Sequence, residues 1–247
     1  GLNTIDYRIT DGYADPEGVA EQFSSEQPVR MPHSYFCYRP EETNLAVNES
    51  PVFTNGYITF GSLNNYRKIN PPLLELWAKV LHAVPRSKFL IKGKSLEDPP
   101  TRQAFQDHFM RLGITAERLI IAKFVTLVQD HLEVYHQIDI ALDTFPYNGA
   151  TTTCEALWMG VPVVTLVGDR HASRMGLSLL ATVGLTGLIA YTRVEYVKMA
   201  VNLANNLELL PSLRAGLRER MQASPLMDAA TFTGHLEAIY RQLWKST

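Results

Sequence analysis

From Tyr57 onward, short β-branched or aliphatic runs alternate with longer amphipathic ones, and this alternation constrains the fold more than any other feature. The runs are Tyr57–Phe60, Phe89–Lys92, Leu119–Ala122, Ile138–Leu142, Val163–Val167 and a weaker Leu188–Ala190. Between them Pro71–Val84, Thr101–Leu112, Gln129–Tyr135, Thr151–Met159 and Ser173–Val183 have helical spacing and length. Strands buried on both faces read as continuous aliphatic runs, and alternation with helices implies right-handed parallel crossovers. The predicted fold class is therefore α/β, a doubly wound parallel sheet of about six strands with a helical C-terminal tail. The tail comprises three predicted helices, Glu195–Asn206, Pro211–Ala223 and Ala229–Trp244, with no strand between them.

The first fifty residues read differently. A short strand over Ile5–Ile9 precedes an irregular stretch through Arg30, then an aromatic-rich extended segment, Met31–Tyr38. Arg39–Asn55 reads as a linker or surface loop. The expected division is 1–55 as a leader and linker, 56–190 as the main lobe and 191–247 as helices completing it. The chain has no initiator Met and opens directly in an apolar-alternating segment, so it is expected to be part of something longer.

Composition narrows the function. A chain of 247 residues that is 46% apolar can bury a large core, and no apolar run approaches the ~20 residues of a membrane-spanning helix. Two cysteines, Cys37 and Cys154, cannot form a disulfide framework, and no Cys/His cluster suggests zinc. A reducing, cytoplasmic setting is expected (nucleocytoplasmic in a eukaryote). Net charge is −2, which does not suit nucleic-acid binding. The first sixty residues carry nine acidic and three basic side chains, the remainder sixteen and twenty. A mildly basic body behind an acidic leader suits a small anionic ligand.

In open α/β sheets ligands bind at the carboxyl ends of the strands, at the topological switch point. Walker A, G-x-G-x-x-G, G-x-S-x-G and H-E-x-x-H patterns are absent from the sequence, and no D-x-D pair offers a metal site. The informative segment is Leu142–Val164, LDTFPYNGATTTCEALWMGVPVV. A strand ends, a Pro/Asn/Gly loop containing Gly149 turns, and a helix opens on consecutive threonines. Free N–H groups at a helix N-terminus, with hydroxyls beside them, suit phosphate. Glu155, in the first turns, is placed to grip hydroxyls such as those of a ribose. On composition alone, the favoured alternative is that the threonines cap the helix and Glu155 answers its dipole.

The string E-A-L-x-x-G-x-P-V-V resembles the nucleotide-sugar-binding motif in the C-terminal lobe of GT-B glycosyltransferases. The longer L-D-T-x-P-Y-N-x-x-T-T-T-x-E-A-L-W-x-G-V-P-V-V-T, together with Phe60–Ile69, resembles the protein O-GlcNAc transferase family and its Spindly-type relatives. The similarity runs over nearly the whole chain. It implies a Rossmann-like donor lobe of an inverting, metal-independent protein O-glycosyltransferase. No cofactor is implied; the donor is a nucleotide sugar, UDP-GlcNAc first and GDP-fucose second, and the partners are Ser/Thr-containing acceptor proteins. It also implies an N-terminal lobe and helical (tetratricopeptide) repeats in the parent protein, so this chain is expected to bind a nucleotide diphosphate weakly and to catalyse little alone.

By the same resemblance Lys68 contacts the donor pyrophosphate and is the residue assigned to catalysis, with Asn65 beside it. Thr151 and Thr152 hold phosphate, Glu155 binds ribose hydroxyls and His131 packs against the nucleobase. The sequence departs from the family's animal members at Val128, where they carry Lys, and at Ala150, where they carry His. Asn64–Ile69 and the T-T-T-C-E string lie closer to the Spindly type, whose plant members use GDP-fucose. Independently of resemblance, transferring a sugar from a diphosphate leaves an anion that needs a preorganised cation, a role open to Lys68. His171 is expected on a donor-facing loop, or else in a helix-capping one. Lys92 is expected on the surface, with the cleft as the alternative. A pure interaction module that kept the fold without turnover is the reading from a different functional class.

Overall fold

The computed structural model describes residues 2, 4–41 and 43–246. Its centre is a six-stranded parallel sheet made of β3 (Thr59–Ser62), β4 (Lys88–Lys92), β5 (Leu119–Ala122), β6 (Ile140–Leu142), β7 (Val163–Leu166) and β8 (Ile189–Ala190). The strand order is β5-β4-β3-β6-β7-β8, so the chain winds outward in one direction from β3 and in the other from β6. The doubly wound class expected from the alternating pattern is the one observed, and the switch point lies between β3 and β6. Phe60, Phe89, Leu90, Ile91, Ile140 and Val164 are fully buried. Each such side chain contributes about 1.5–3 kcal/mol.

Helices flank the sheet: α2 (Pro71–Ala83), α3 (Pro99–Arg111), α4 (Val128–Glu133), α5 (Thr151–Trp158), α6 (Met175–Thr182) and α7 (Arg193–Asn205), followed by α8 (Leu209–Gln222) and α9 (Ala229–Ser246). Several have clear start signals. Asn70 caps α2 through Leu73 N–H ahead of two prolines, and Asp98 does the same for α3 through Thr101 N–H. Thr192 and Glu195 form a reciprocal capping box on α7. Packing α7 against α2 brings Trp77 Nε1 to 3.2 Å from the hydroxyl of Tyr196, which itself donates to the carbonyl of Asp143 at 3.1 Å. That chain of buried polar groups reaches the end of β6, where the site lies.

The first fifty residues are more ordered than their sequence suggests. β1 (Tyr7–Asp11) pairs in parallel with β2 (Gln27–Met31), a strand absent from the sequence reading. Pro28 and Arg30 mask β2, because a strand in a two-stranded sheet has a free edge and can carry a proline without losing a ladder bond. The segment expected as a linker or surface loop contains a one-turn helix, α1 (Val52–Asn55), and packs onto the core. Ser50 and Val52 N–H bind the carboxylate of Asp139, and Asn48 accepts from the buried guanidinium of Arg214. Among the described residues, no helix is long and apolar enough to cross a membrane.

Candidate functional site

The loops that follow β3 and β6 meet above the switch point. Lys68, in a 3₁₀ turn after β3, donates from Nζ to the carbonyl of Asn148 at 2.7 Å and lies 4.1 Å from the centre of the Tyr147 ring. A cation over an aromatic face gains electrostatic stabilisation. Asn70 bonds Phe145 O at 2.7 Å, and Asn64 Oδ1 accepts from Thr152 Oγ1 at 2.8 Å. Three bonds therefore join the β3 loop to the β6–α5 loop and the first turn of α5, around a small hollow lined by Asn64, Asp143 and Thr152.

The start of α5 is open. Its N-cap is Ala150, which makes no side-chain cap, and Thr152 spends its hydroxyl on Asn64. The N–H groups of Thr151 and Thr152 find no acceptor among the described residues. The capping alternative for the threonines is thereby overturned. What remains is a partly positive helix end with free donors, next to an ammonium.

Asp143 holds this loop in shape. Its buried carboxylate accepts from Gly149 N–H at 2.7 Å, Thr144 N–H at 2.8 Å and the Thr165 hydroxyl at 2.7 Å. Burial pushes its carboxyl up to about 6, against the lowering effect of those donors and of Lys68. Burial in turn lowers Lys68, while Asp143 opposes that shift. Gly149 is needed for space, because a Cβ there would stand 2.6 Å from Thr152 Oγ1 and 2.9 Å from Thr153 Oγ1. Gly149→Ala should therefore push Thr152 off Asn64 and cost about 1–3 kcal/mol, readable as a lower melting temperature.

Beside the hollow lies an open cleft of about 650 Å³, lined by Asn64, Asn65, Arg67, Lys92, Lys94 and His131 among others. His131 Nε2 lies 3.0 Å from Glu155 Oε2, and the hydroxyl of Tyr135 donates to the same oxygen at 3.1 Å. On its other side, His131 Nδ1 contacts Lys92 Nζ. Lys92 is 3% exposed, which corrects the surface reading: β4 ends with this side chain turned toward the cleft.

Residues 39–236 match glycosyl transferase family 41. The chain belongs to that family. It is 47% identical, over 99% of its length, to a Petunia hybrida protein described as a probable UDP-N-acetylglucosamine–peptide N-acetylglucosaminyltransferase SPINDLY. It is 30% identical, again over 99% of its length, to a probable enzyme of the same description, SEC, from Arabidopsis thaliana. The chain spans 26% and 25% of those two proteins. A solved mutant of the Thermobaculum terrenum O-GlcNAc transferase superposes with a TM-score of 0.88 at 37% identity, covering 98% of this chain and 45% of that one. S. aureus TarM, in a complex that includes UDP, superposes at 0.61 with 15% identity, covering 97% of this chain and 44% of that one, which is a likeness of fold. The fold is the C-terminal lobe of a GT-B glycosyltransferase, as the resemblance implied.

Within this family 41 lobe Lys68 rests on Asn148 O in the loop that leads into Thr151 and Thr152, Gly149 packs close to Thr152, and His131 links Glu155 to Lys92 at the adjoining cleft. Asn65 lines the cleft, is exposed and caps the 3₁₀ turn through Arg67 N–H at 3.0 Å. That cap directs its neighbour Asn64 inward. His171 is bound to the N-terminal segment, with Nδ1 2.7 Å from Asp15 and Nε2 3.3 Å from the Tyr35 hydroxyl. Its loop still adjoins the hollow, since Asn148 N–H donates to Ala172 O at 2.9 Å.

Sequence reasoning missed four contributors: Asn64, Tyr135, Asp143 and Asn148. Asp143 carried the best available signal, an acidic residue closing an aliphatic strand just before a Pro/Gly loop.

Burial lowers Lys92 from its ordinary 10.5 to about 8, with Glu155 opposing the shift. The unfolded chain then holds this proton more tightly than the folded one. The contribution to stability is complete above the ordinary lysine range and is lost as pH falls through about 8. The melting temperature of the wild type, relative to Lys92→Met, should rise between pH 8 and pH 10. A constant difference across that range would contradict the burial of an ionisable Lys92.

Proposed function

We propose that this chain is the donor-binding lobe of an inverting protein O-glycosyltransferase that moves GlcNAc from UDP-GlcNAc to Ser or Thr hydroxyls. The observation that supports this reading is Lys68 seated on the loop that leads into the uncapped start of α5. Lys68 offers two further N–H donors beyond the one on Asn148, and Thr151 and Thr152 offer backbone donors, a set that matches a diphosphate. Glu155 keeps one oxygen clear of His131 and Tyr135 to accept from ribose hydroxyls, and the cleft beside it receives the nucleobase against His131.

In the transfer, the acceptor oxygen forms a bond to the sugar's anomeric carbon while the bond from that carbon to the β-phosphate oxygen breaks. The electron pair leaves with the nucleotide diphosphate, and the hydroxyl proton passes to a base outside this chain. Lys68 and the α5 dipole stabilise the charge arriving on the leaving phosphate, and both are in place before the reaction. A pyrophosphate held only by the protein explains why the ammonium sits half-buried, since its effect grows as water is excluded. The acceptor protein is a separate partner, the N-lobe and the helical repeats are proposed for a longer parent, and the proposed setting is cytoplasmic or nucleocytoplasmic.

The test is thermal denaturation with UDP, GDP and their sugars. A ligand that binds only the folded state stabilises by about 2.7 kcal/mol at a concentration one hundred times Kd. A larger rise with UDP than with GDP supports the GlcNAc reading. The reverse order favours GDP-fucose, the donor suggested by the Spindly-like Asn64–Ile69. Absence of a rise with every nucleotide at millimolar concentration would contradict donor binding and favour the interaction module.

A further inference from the structure

Lys92 has no part in the reading above, although it is the most deeply buried cation of the cleft. It stands at the end of β4, two strands from α5, and touches His131 rather than the hollow. The hydrogen-bond arithmetic of its neighbours fixes what it does. Glu155 Oε2 is an acceptor and meets two groups, the Tyr135 hydroxyl and His131 Nε2. The histidine must therefore carry its proton on Nε2, which leaves Nδ1 bare and facing Lys92. An ammonium there supplies the donor that a bare Nδ1 needs. A proton on Nδ1 would set two donors against each other.

We infer that Lys92 is a positioning residue that locks His131 in its Nε2–H tautomer and thereby aims the free oxygen of Glu155 at the ribose diol of the donor. Both protein donors converge on Oε2, which leaves Oε1 without a hydrogen-bond donor among the described residues. Tyr135 is fully enclosed, and its single hydroxyl proton is shared between Glu155 Oε2 and Thr152 O, each at 3.1 Å, which ties this relay to the opening turn of α5. The ligand class that follows is a ribonucleoside diphosphate rather than its deoxy counterpart. Without Lys92 the bare Nδ1 loses its donor, the ring is held from one side only, and Glu155 loses a fixed partner. The inference rests on the proposed function for its ligand, but the state of His131 can be read without any nucleotide.

Two measurements on the same chain separate these dependences. The first is side-chain 15N NMR of ligand-free protein at neutral pH, with His131→Gln used to assign the signal. The wild type and Lys92→Arg should show a single Nε2–H tautomer. Lys92→Met should lose the perturbation that an ammonium donor imposes on the bare Nδ1, so that its Nδ1 resonance moves away from the wild-type position. An unchanged signal in Lys92→Met overturns the inference, whatever the protein binds. The second is the affinity of UDP and GDP relative to their 2′,3′-dideoxy forms. Charge-assisted bonds to the diol should favour the ribonucleotide by about tenfold in the wild type and in Lys92→Arg. In Lys92→Met that ratio should fall toward one, whereas a merely structural defect would weaken both forms alike and leave the ratio standing. A ratio kept in Lys92→Met contradicts the inference. Failure of the wild type to bind either ribonucleotide contradicts the proposed function instead, and the NMR result then decides the role of Lys92. Thermal melts of each variant identify any loss due to unfolding, with Lys92→Arg as the folded control.

Discussion

On the proposed function, Lys68→Ala should weaken diphosphate binding by this chain severely and should lower sugar transfer by a longer protein carrying this lobe about 10²–10³-fold, while the fold survives. The magnitude follows from removing one preorganised donor aimed at charge that develops in the transition state. Survival of the fold follows from what Lys68 touches. Its ammonium bonds one backbone carbonyl and an exposed aromatic ring, so truncation leaves Asn148 O to water and opens no core cavity. The stability change should stay within about 1 kcal/mol. Lys68→Arg should restore part of the binding and little of the rate, because a planar fork does not reproduce a point charge seated on Asn148 O. Calorimetric titration with UDP, beside a denaturant melt of each variant, checks both halves. Unaltered affinity in Lys68→Ala would remove the cation from the site.

Asp143→Ala should act in the opposite way, through the scaffold. It leaves Gly149 N–H, Thr144 N–H and the Thr165 hydroxyl without their shared acceptor in a region that water does not reach. Each buried unsatisfied group costs about 1–3 kcal/mol, so a total of about 3–5 kcal/mol is expected after partial relaxation. For a chain of this size that lowers the melting temperature by about 8–15 °C. Asp143→Asn keeps an oxygen for the two backbone donors and lets Thr165 turn its hydroxyl to accept, so its cost should be far smaller. The two also differ in pH dependence. The folded carboxyl is raised from 3.8 to about 6, so the folded state binds the proton more tightly and the benefit is lost as pH rises through about 6. The stability of wild type relative to Asp143→Asn should therefore decline from pH 4 to pH 7. A rising difference would mean that the three donors and Lys68 outweigh burial.

The contrast between these residues shows what a sequence can reveal about such a site. The six core strands were legible because burial on both faces leaves little choice but aliphatic runs, as in Phe89–Lys92 and Val163–Val167. The β6–α5 loop was legible because Pro146, Gly149 and consecutive threonines are a turn followed by a helix start. β2 was not legible, since a free-edged strand tolerates Pro28 and Arg30 and shows no periodicity. The part played by Asn64 beside Asn65 was beyond reach for a similar reason: two identical residues in sequence differ only by which one caps a 3₁₀ turn. Tyr135 read as an apolar position of a helix, and its hydroxyl acquires meaning only when Glu155 arrives from another element twenty residues away. Lys92 read as a surface lysine because most lysines are exposed, whereas here β4 ends inside the cleft.

The most direct measurement is a crystal structure of this chain grown with UDP. The account predicts a diphosphate with oxygens at hydrogen-bond distance from Lys68 Nζ and from the N–H groups of Thr151 and Thr152, and ribose hydroxyls on Glu155. A nucleotide seated elsewhere on the molecule, with Lys68 still on Asn148 O and the start of α5 untouched, would contradict it.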